Sequence, residues 1–338
     1  MSSYLIRRGL IFLSIVLLAG CNTVVLNPSG DVAQQQGRLI VVSTVLMLIV
    51  IVPVIALTVL YAWHYRQSNT AARYEPDWHH STQLELIIWG APLLIIIALG
   101  LVTWVTTHTL DPYRKLSRID AQRPIPEHVK PLTVEVVALD WKWLFIYPEQ
   151  GIATVNELAA PVNVPINFKI TASSFMNSFY IPALAGQIYA MPSMQTALNA
   201  VINKPGEFEG FSANYSGHGF SDMRFKFHGL SNDGFDAWVK KVKAGGGVLE
   251  RDDYVALEKP SIKDPVRYYK TVDATLYHAI LNRCVKAGQV CIDRQMATDM
   301  NVEKGKGAET EKSAALDVPA SLVKVADSMP VASQRHHE

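Results

Sequence analysis

The stretch Ser212–Met223, which reads SANYSGHGFSDM, has the spacing of a copper-binding loop but lacks most of the ligands. Ser216 stands four residues after Ser212, Phe220 four residues after that, and Met223 three residues later. With cysteine at both serines and histidine at Phe220, the pattern would be C-x3-C-x3-H-x2-M, and thiolate, imidazole and thioether are the soft ligands that hold copper. As the sequence stands, Met223 alone offers such a ligand in its side chain.

Short segments of alternating polarity surround this loop. They are rich in β-branched and aromatic residues, and Pro and Gly separate them at short intervals, which is typical of a β-sandwich or barrel. The predicted strands are Thr133–Val137, Trp141–Tyr147, Asn163–Ile170, Phe179–Pro182, Gln187–Met191, Thr196–Ile202, Glu207–Ala213 and Met223–His228. We therefore expect a β-domain over residues 131–230.

The aromatic residues of the second predicted strand have two interpretations. Trp141, Trp143, Phe145 and Tyr147 share one face at the two-residue period of a strand. They form either an exposed aromatic patch, centred on Trp141 and Trp143, that docks a partner or carries electrons, or simply the core face of the sheet.

A helical extension is predicted after the β-domain, over residues 231–296. Within it, Asp233–Ala244 places Phe235, Trp238, Val239 and Val242 on one face at helical spacing, so we expect this stripe to pack on the sandwich or on a partner. A second short helix is expected at Thr275–Lys286.

The end of the chain carries two further features. Residues 297–338 are rich in Lys, Glu, Ala, Ser and Thr without a large apolar run, which predicts disorder. Cys284 and Cys291 form a disulfide if the compartment is oxidising, and the alternative is two free thiols.

Composition divides the chain into a membrane part and a soluble part. The 31 Lys and Arg residues nearly balance the 30 Asp and Glu residues, so the charge does not favour a nucleic-acid partner. Residues 39–63 and 84–108 are almost purely apolar and each is long enough to cross a bilayer. The polar residues 64–83 form the loop between these spans, and residues 109–130 form a linker to the β-domain.

The N-terminus has the pattern of a bacterial export signal. Residues 1–20 combine a positive end with a short apolar run. The sequence Leu18-Ala19-Gly20-Cys21 matches a lipobox, in which the Cys becomes the new N-terminus and carries acyl chains. We therefore expect residues 21–38 to be a lipidated segment on the outer side and the β-domain to be periplasmic; the alternative is an ordinary anchor helix with a buried Cys21.

Glu85, at the start of the second span, also has two interpretations. An ionisable group at membrane depth suggests a function. A solvated carboxylate at a helix start suits the helix dipole and needs no function. Position alone favours the second interpretation.

The sequence shows no catalytic motif. A nucleophile elbow, a P-loop, a dinucleotide fingerprint and a zinc-protease motif are all missing from it. The ten histidines are scattered, and His218 lies in a Gly-His-Gly turn two residues before Phe220, which is a poor position for a replacement ligand. We expect no catalytic site within this chain.

Taken together, these residues resemble subunit II of the haem–copper respiratory oxidases, and most closely the subunit II of cytochrome bo-type ubiquinol oxidases. The resemblance covers roughly residues 15–285. It rests on the lipobox, on Glu85-x3-Trp89-x2-Pro92, on Asp140-Trp141-Lys142-Trp143, on the run Ile146–Glu157, and on Met176-Asn177-Ser178-Phe179. The expected fold is therefore a two-helix transmembrane hairpin plus an all-β cupredoxin-like sandwich, with short C-terminal helices and a disordered tail.

The resemblance also assigns the missing ligands. In the cytochrome c oxidases of this superfamily, two His, two Cys, a Met and a Glu carbonyl hold a dinuclear copper centre. The matching positions in this sequence are Asn177, Ser212, Asn214, Ser216, Phe220 and Met223. Both thiolates and both imidazoles are replaced, which implies that this chain binds no copper and that ubiquinol, rather than cytochrome c, supplies the electrons.

The same resemblance implies a role for Glu85 and identifies the expected cofactors and partners. Glu85 would lie near the entrance of a proton channel into subunit I. Subunit I would bind haem b, haem o and the oxygen-reducing copper, and subunits I, III and IV and membrane lipid would be the partners. The chain would be a subunit without a redox centre in a proton-pumping ubiquinol oxidase. The alternatives are a membrane-tethered cupredoxin-like binding module and a copper-bearing cytochrome c oxidase subunit II.

Overall fold

The computed structural model describes residues 23–73, 75–126 and 129–300. The predicted signal, Cys21 and residues 301–338 of the predicted tail lie outside these ranges.

Two long helices follow the predicted spans. Helix α1 is Asp31–His64 and helix α2 is Thr82–Thr109. Both are long and apolar enough to cross a membrane, and their apolar side chains are exposed in the isolated chain. Each helix extends beyond its apolar run, and α1 starts well before the predicted span because its polar first turns pack on the β-domain.

The described strands form two sheets. In chain order they are β1 Leu132–Leu139, β2 Lys142–Tyr147, β3 Ile152–Val155, β4 Glu157–Pro161, β5 Pro165–Ala172, β6 Asn177–Tyr180, β7 Ile188–Ala190, β8 Thr196–Val201, β9 Gly206–Ser212, β10 Arg224–Leu230, β11 Gly247–Leu249 and β12 Arg267–Val272. The larger sheet has the order β11-β12-β3-β2-β1-β5-β8, and the smaller has the order β4-β10-β9-β6-β7.

Both sheets mix parallel and antiparallel pairs. Strand β1 is antiparallel to β2 but parallel to β5, and β4 is parallel to β10, which is its one neighbour in the smaller sheet among the described strands. These parallel pairs join strands that are far apart in the sequence. The predicted β-sandwich after a two-helix hairpin is confirmed.

An aromatic cluster fills the space between the sheets. Trp143 and Phe145 from the larger sheet meet Phe179 and Phe225 from the smaller one, and all four are buried. The Phe179 and Phe225 rings stack with centroids 5.5 Å apart, an arrangement that adds roughly 0.5–1.5 kcal/mol per pair beyond area burial.

Short helices follow the sandwich. They are α3 Asn232–Gly245, α4 Arg251–Leu257 and α5 Leu276–Leu281. The predicted helix at Asp233–Ala244 is therefore present. Phe235, Trp238 and Val242 of its predicted stripe are buried against the sandwich, and Val239 is only partly buried there. A second compact unit begins at Asn282 and contains a helix over residues 292–300.

Candidate functional site

The loop between β9 and β10 brings together most of the positions that match copper ligands. Ser212 ends β9 and Met223 directly precedes β10, and the Ser212 backbone N–H donates to the Met223 carbonyl at 3.2 Å. Met223 is buried. A short 3-10 turn, Phe220–Asp222, completes the loop.

The side chains of Asn177 and Ser212 are hydrogen-bonded to each other. Asn177 begins β6, which lies beside β9, and both side chains are buried. The Ser212 hydroxyl donates to the Asn177 side-chain oxygen at 3.1 Å and lies 3.3 Å from the Asn214 carbonyl oxygen. The Asn177 amide in turn donates to the Phe175 carbonyl at 3.1 Å.

The remaining two positions serve the loop differently. The Ser216 hydroxyl is buried and has no hydrogen-bond partner among the described residues. The Phe220 ring packs against Tyr215 at 5.7 Å. The donor set is thus two hydroxyls, an amide, a carbonyl and one thioether, which does not fit copper, because copper sites of this kind need thiolate and imidazole.

The indole of Trp141 packs against this loop. Its indole N–H donates to the Ser216 carbonyl at 3.0 Å. A β-carbon at Gly219 would lie 2.5 Å from the Trp141 ring, and one at Gly217 would lie 3.1 Å from it, so glycine lets the loop lie flat on the indole. Gly217 also has a φ of 114°, which favours glycine.

The predicted aromatic patch is only partly as expected. Trp143 is fully buried and belongs to the core, because β2 is covered on both faces. Trp141 lies before β2 and lines an open hollow together with Phe175, Met176 and Tyr215, which are all exposed. Sequence periodicity could not find this group, since its members come from separate loops.

A buried ion pair anchors the start of β2. The Lys142 ammonium donates to the Lys259 carbonyl at 2.9 Å and lies 3.5 Å from an Asp264 carboxylate oxygen. Burial raises the pKa of Asp264, but hydrogen bonds from Ser261 and Arg267 and the charge of Arg267 outweigh it, so this pKa lies below its ordinary value of 3.8. The pair fixes the segment between α4 and β12 to the sandwich.

Glu85 has a partner that the sequence did not suggest. Its carboxylate lies 2.8 Å from the His80 Nδ1, and both side chains are at least half exposed. Glu85 sits in the first turn of α2, and its backbone N–H donates to the Ser81 carbonyl at 3.0 Å. A carboxylate and an imidazole thus meet at the start of α2.

A second ion pair joins the start of α1 to the linker that follows α2. Arg118 in the linker donates from Nε and Nη2 to the two carboxylate oxygens of Asp31 at 2.9 and 3.1 Å. The Asp31 side chain is almost fully buried, and Gln35 donates to it at 2.8 Å. Such a bidentate pair fixes α1 to the linker.

Glu157 connects the sandwich to the C-terminal extension. One of its carboxylate oxygens accepts from the Trp238 indole N–H at 2.8 Å and from the Tyr268 hydroxyl at 2.9 Å. Trp238 lies on α3 and Tyr268 on β12, so one carboxylate ties both elements to β4.

The other predicted residues are placed as follows. Cys284 and Cys291 are joined in a disulfide with Cα atoms 4.8 Å apart, within the second unit. His218 is exposed. In the part of the chain that the structure describes, no three His, Cys, Asp or Glu side chains are grouped to hold a metal ion.

Comparisons with known proteins found a family model, several relatives and solved domains that are similar to this chain. A family model described as COX Aromatic Rich Motif matches residues 243–288. Cytochrome bo(3) ubiquinol oxidase subunit 2 of Pseudomonas putida is 48% identical over 299 residues, which are 88% of this chain and 92% of that protein. Ubiquinol oxidase subunit 2 of Acetobacter aceti is 53% identical over 268 residues, which are 79% of this chain and 85% of that protein. The solved periplasmic domain of subunit II of cytochrome oxidase from Bradyrhizobium japonicum covers 33% of this chain and 94% of that domain, with 23% identity and a TM-score of 0.33.

Proposed function

The chain belongs to the subunit 2 family of the ubiquinol oxidases, and we propose that it serves as this subunit in an inner-membrane complex that oxidises ubiquinol, reduces oxygen to water and translocates protons. The observation that carries the proposal is the pairing of Asn177 with Ser212. Two positions that would hold copper in a cytochrome c oxidase instead satisfy each other by a hydrogen bond.

The source of electrons for the complex follows from the side chains that stand at these positions. A subunit without thiolates and imidazoles at these positions offers cytochrome c no metal centre to reduce. Electrons therefore enter the complex from ubiquinol in the membrane. The β-domain then has a structural role, in which it caps the complex on the periplasmic side.

The redox chemistry takes place in a partner. Haem b, haem o and copper are bound by subunit I, with subunits III and IV completing the complex. The exposed apolar side chains of α1 and α2 support this assignment, because a hairpin with so little mutual burial needs lipid or other helices around it.

Glu85 and His80 form the proton entrance. The Glu85 carboxylate lies 2.8 Å from the His80 Nδ1, and both side chains are exposed to water, so a proton can pass between water and this pair. Both groups are exposed at the end of α2 that is remote in sequence from the β-domain, which is the cytoplasmic end in the proposed topology.

Cys21 carries the lipid. The residues that follow it return toward the membrane beside α1: a β-carbon at Gly37 would lie 2.7 Å from the Val25 carbonyl oxygen. Val24, Val25 and Leu26 are exposed there, next to the first apolar turns of the span.

Purification of the tagged chain from membranes in mild detergent tests the proposal. The expected result is a co-purified polytopic partner with a haem spectrum and with ubiquinol oxidase activity. Isolation of the chain without a haem-containing partner would instead support a membrane-tethered binding module. Stoichiometric copper in this chain with near-infrared absorbance, or oxidation of reduced cytochrome c, would support a cytochrome c oxidase subunit.

A further inference from the structure

A cavity lies where the two spans meet the β-domain. It has a volume of about 230 Å³ and is lined by the first turns of α1, the end of α2, the linker after it, and the edge of β8. This volume is below the roughly 300–1,000 Å³ of clefts that hold whole drug-sized molecules. The cavity can therefore admit a small polar headgroup, but not a large ligand.

The walls of the cavity are fixed. The bidentate pair between Arg118 and Asp31 ties the linker to α1. Asn199 on β8 donates through its side chain to the carbonyls of Pro112 and Tyr113 at 3.2 and 3.3 Å. Hydrogen bonds thus fix α1, the linker and β8 to one another around the cavity. The cavity is therefore a preformed site.

The charge of the lining favours an anion. Arg118 is neutralised by Asp31, and the Asp111 carboxylate accepts from the Tyr113 backbone N–H at 2.9 Å. Arg114 and Lys115 are exposed, and within the described ranges neither is paired with a carboxylate. Three cations against two carboxylates leave the lining with one excess positive charge.

The cavity lies at the height of lipid headgroups. Gln35 lines it, and the apolar run of α1 begins four residues later at Leu39, about 6 Å along the helix axis. The polar layer on each side of a bilayer is about 5–8 Å thick. Cations are normally enriched on the cytoplasmic side of spans, so their presence on the β-domain side calls for a specific role.

We propose that this cavity binds the phosphate of an anionic phospholipid headgroup, with Arg114 and Lys115 as the charged ligands. The lipid then fills the junction between the hairpin and the β-domain. This site is separate from the loop of Asn177 and Ser212 and from Glu85, and it does not depend on the oxidase assignment.

Photolabelling of the purified complex in nanodiscs tests this proposal. The probe is phosphatidylglycerol with a photoreactive group on its headgroup, present at a small fraction in phosphatidylcholine. In the wild type, labelled peptides should include residues 109–118. The double variant R114Q/K115Q should reduce this labelling about 25-fold, since each surface cation contributes about a factor of five.

A matched control removes the same charge elsewhere. Lys240 and Lys243 are exposed on α3 and do not line the cavity, so K240Q/K243Q should keep the labelling. If both double variants label residues 109–118 equally, or if the wild type does not label them, the proposal is wrong. Loss of the wild-type label on addition of inorganic phosphate would overturn the lipid as occupant and assign a free phosphate instead.

A second measurement covers a failure of R114Q/K115Q to assemble. In the wild type alone, the same photoreactive group is placed on phosphatidylcholine and compared with the phosphatidylglycerol probe. Preferential labelling of residues 109–118 by phosphatidylglycerol supports the proposal, and equal labelling by both lipids contradicts it.

Discussion

The Ser212 hydroxyl donates a 3.1 Å hydrogen bond to the Asn177 side-chain oxygen, and this contact joins two neighbouring strands of the smaller sheet beneath the β9–β10 loop. Both side chains are buried. Neutral hydrogen bonds between buried side chains thus hold the base of this loop.

Removal of this bond should destabilise the β-domain. The variant Ser212→Ala leaves the buried Asn177 oxygen without a donor from Ser212, so we expect a loss of about 1–2 kcal/mol in the free energy of unfolding. The measurement is the thermal unfolding midpoint of the detergent-solubilised chain. Ser221→Ala, at an exposed serine of the same loop, is the control and should be neutral. Equal midpoints for the two variants would show that the bond contributes nothing.

The contact between Gly219 and Trp141 predicts a larger effect. In Gly219→Ala, the new methyl group would lie 2.5 Å from the indole, and the ring or the loop must move, at a cost of about 1–3 kcal/mol. Gly245→Ala is the control, because nothing lies within 4 Å of a β-carbon there. Tryptophan fluorescence and the unfolding midpoint report the change. A Gly219→Ala protein with unchanged spectrum and midpoint would contradict the described packing.

Glu85→Gln should slow oxygen consumption by the assembled complex several-fold, and proton pumping with it. The effect should be smaller than the roughly 100-fold or more that loss of a general acid or base causes at the reacting atoms, since water also reaches this exposed end. His80→Ala should show part of the same defect. Glu75→Gln, in the same loop and paired with Arg73, is the control. Turnover equal to that of this control would remove Glu85 from the proton path.

Asp264 predicts a specific acid sensitivity. Its pKa is lower in the folded protein than its ordinary value of 3.8, so its contribution to stability is fully present above that pH and is lost as the pH falls through the folded pKa. Asp264→Asn should remove this acid-dependent part. At neutral pH it should also cost about 3–5 kcal/mol, because the buried Lys142 ammonium loses its counter-charge.

The control for this prediction is Asp236→Asn, at an exposed position on α3. Unfolding midpoints of the three proteins are compared between neutral pH and pH 3. If Asp264→Asn keeps the full acid slope of the wild type, another carboxylate is responsible for it.

Sequence patterns predicted the spans and most of the sandwich strands, because each depends on local periodicity. They did not predict β3 and β4. These strands are separated by Asn156 alone, whose left-handed φ of 58° turns the chain from one sheet to the other. No run of turn residues marks such a break, since one asparagine that tolerates this conformation is sufficient.

The candidate site likewise has features that the sequence predicted and features that it did not. Spacing within Ser212–Met223 was readable, but the seat of the loop on Trp141 and the pairing of Glu85 with His80 were not. The first contact joins residues from distant parts of the chain. The second depends on how the polar segment folds back before α2, which no periodicity encodes.

The position of β4 has a consequence for how the domain matures. This strand is completely buried in the finished fold, yet β10, its one partner in the smaller sheet within the described ranges, comes many residues later. During synthesis β1, β2 and β3 can join as a local meander, whereas the strand pairing of Glu157–Pro161 must wait for β10. Until then, the Tyr147 and Thr154 hydroxyls can bond only the backbone of Ala159 and the Glu157 carbonyl. Pairing between strands that are far apart in the sequence is slow, and until it forms, the unpaired strand edge can associate with other chains. The smaller sheet is therefore completed late, once β10 has been synthesised.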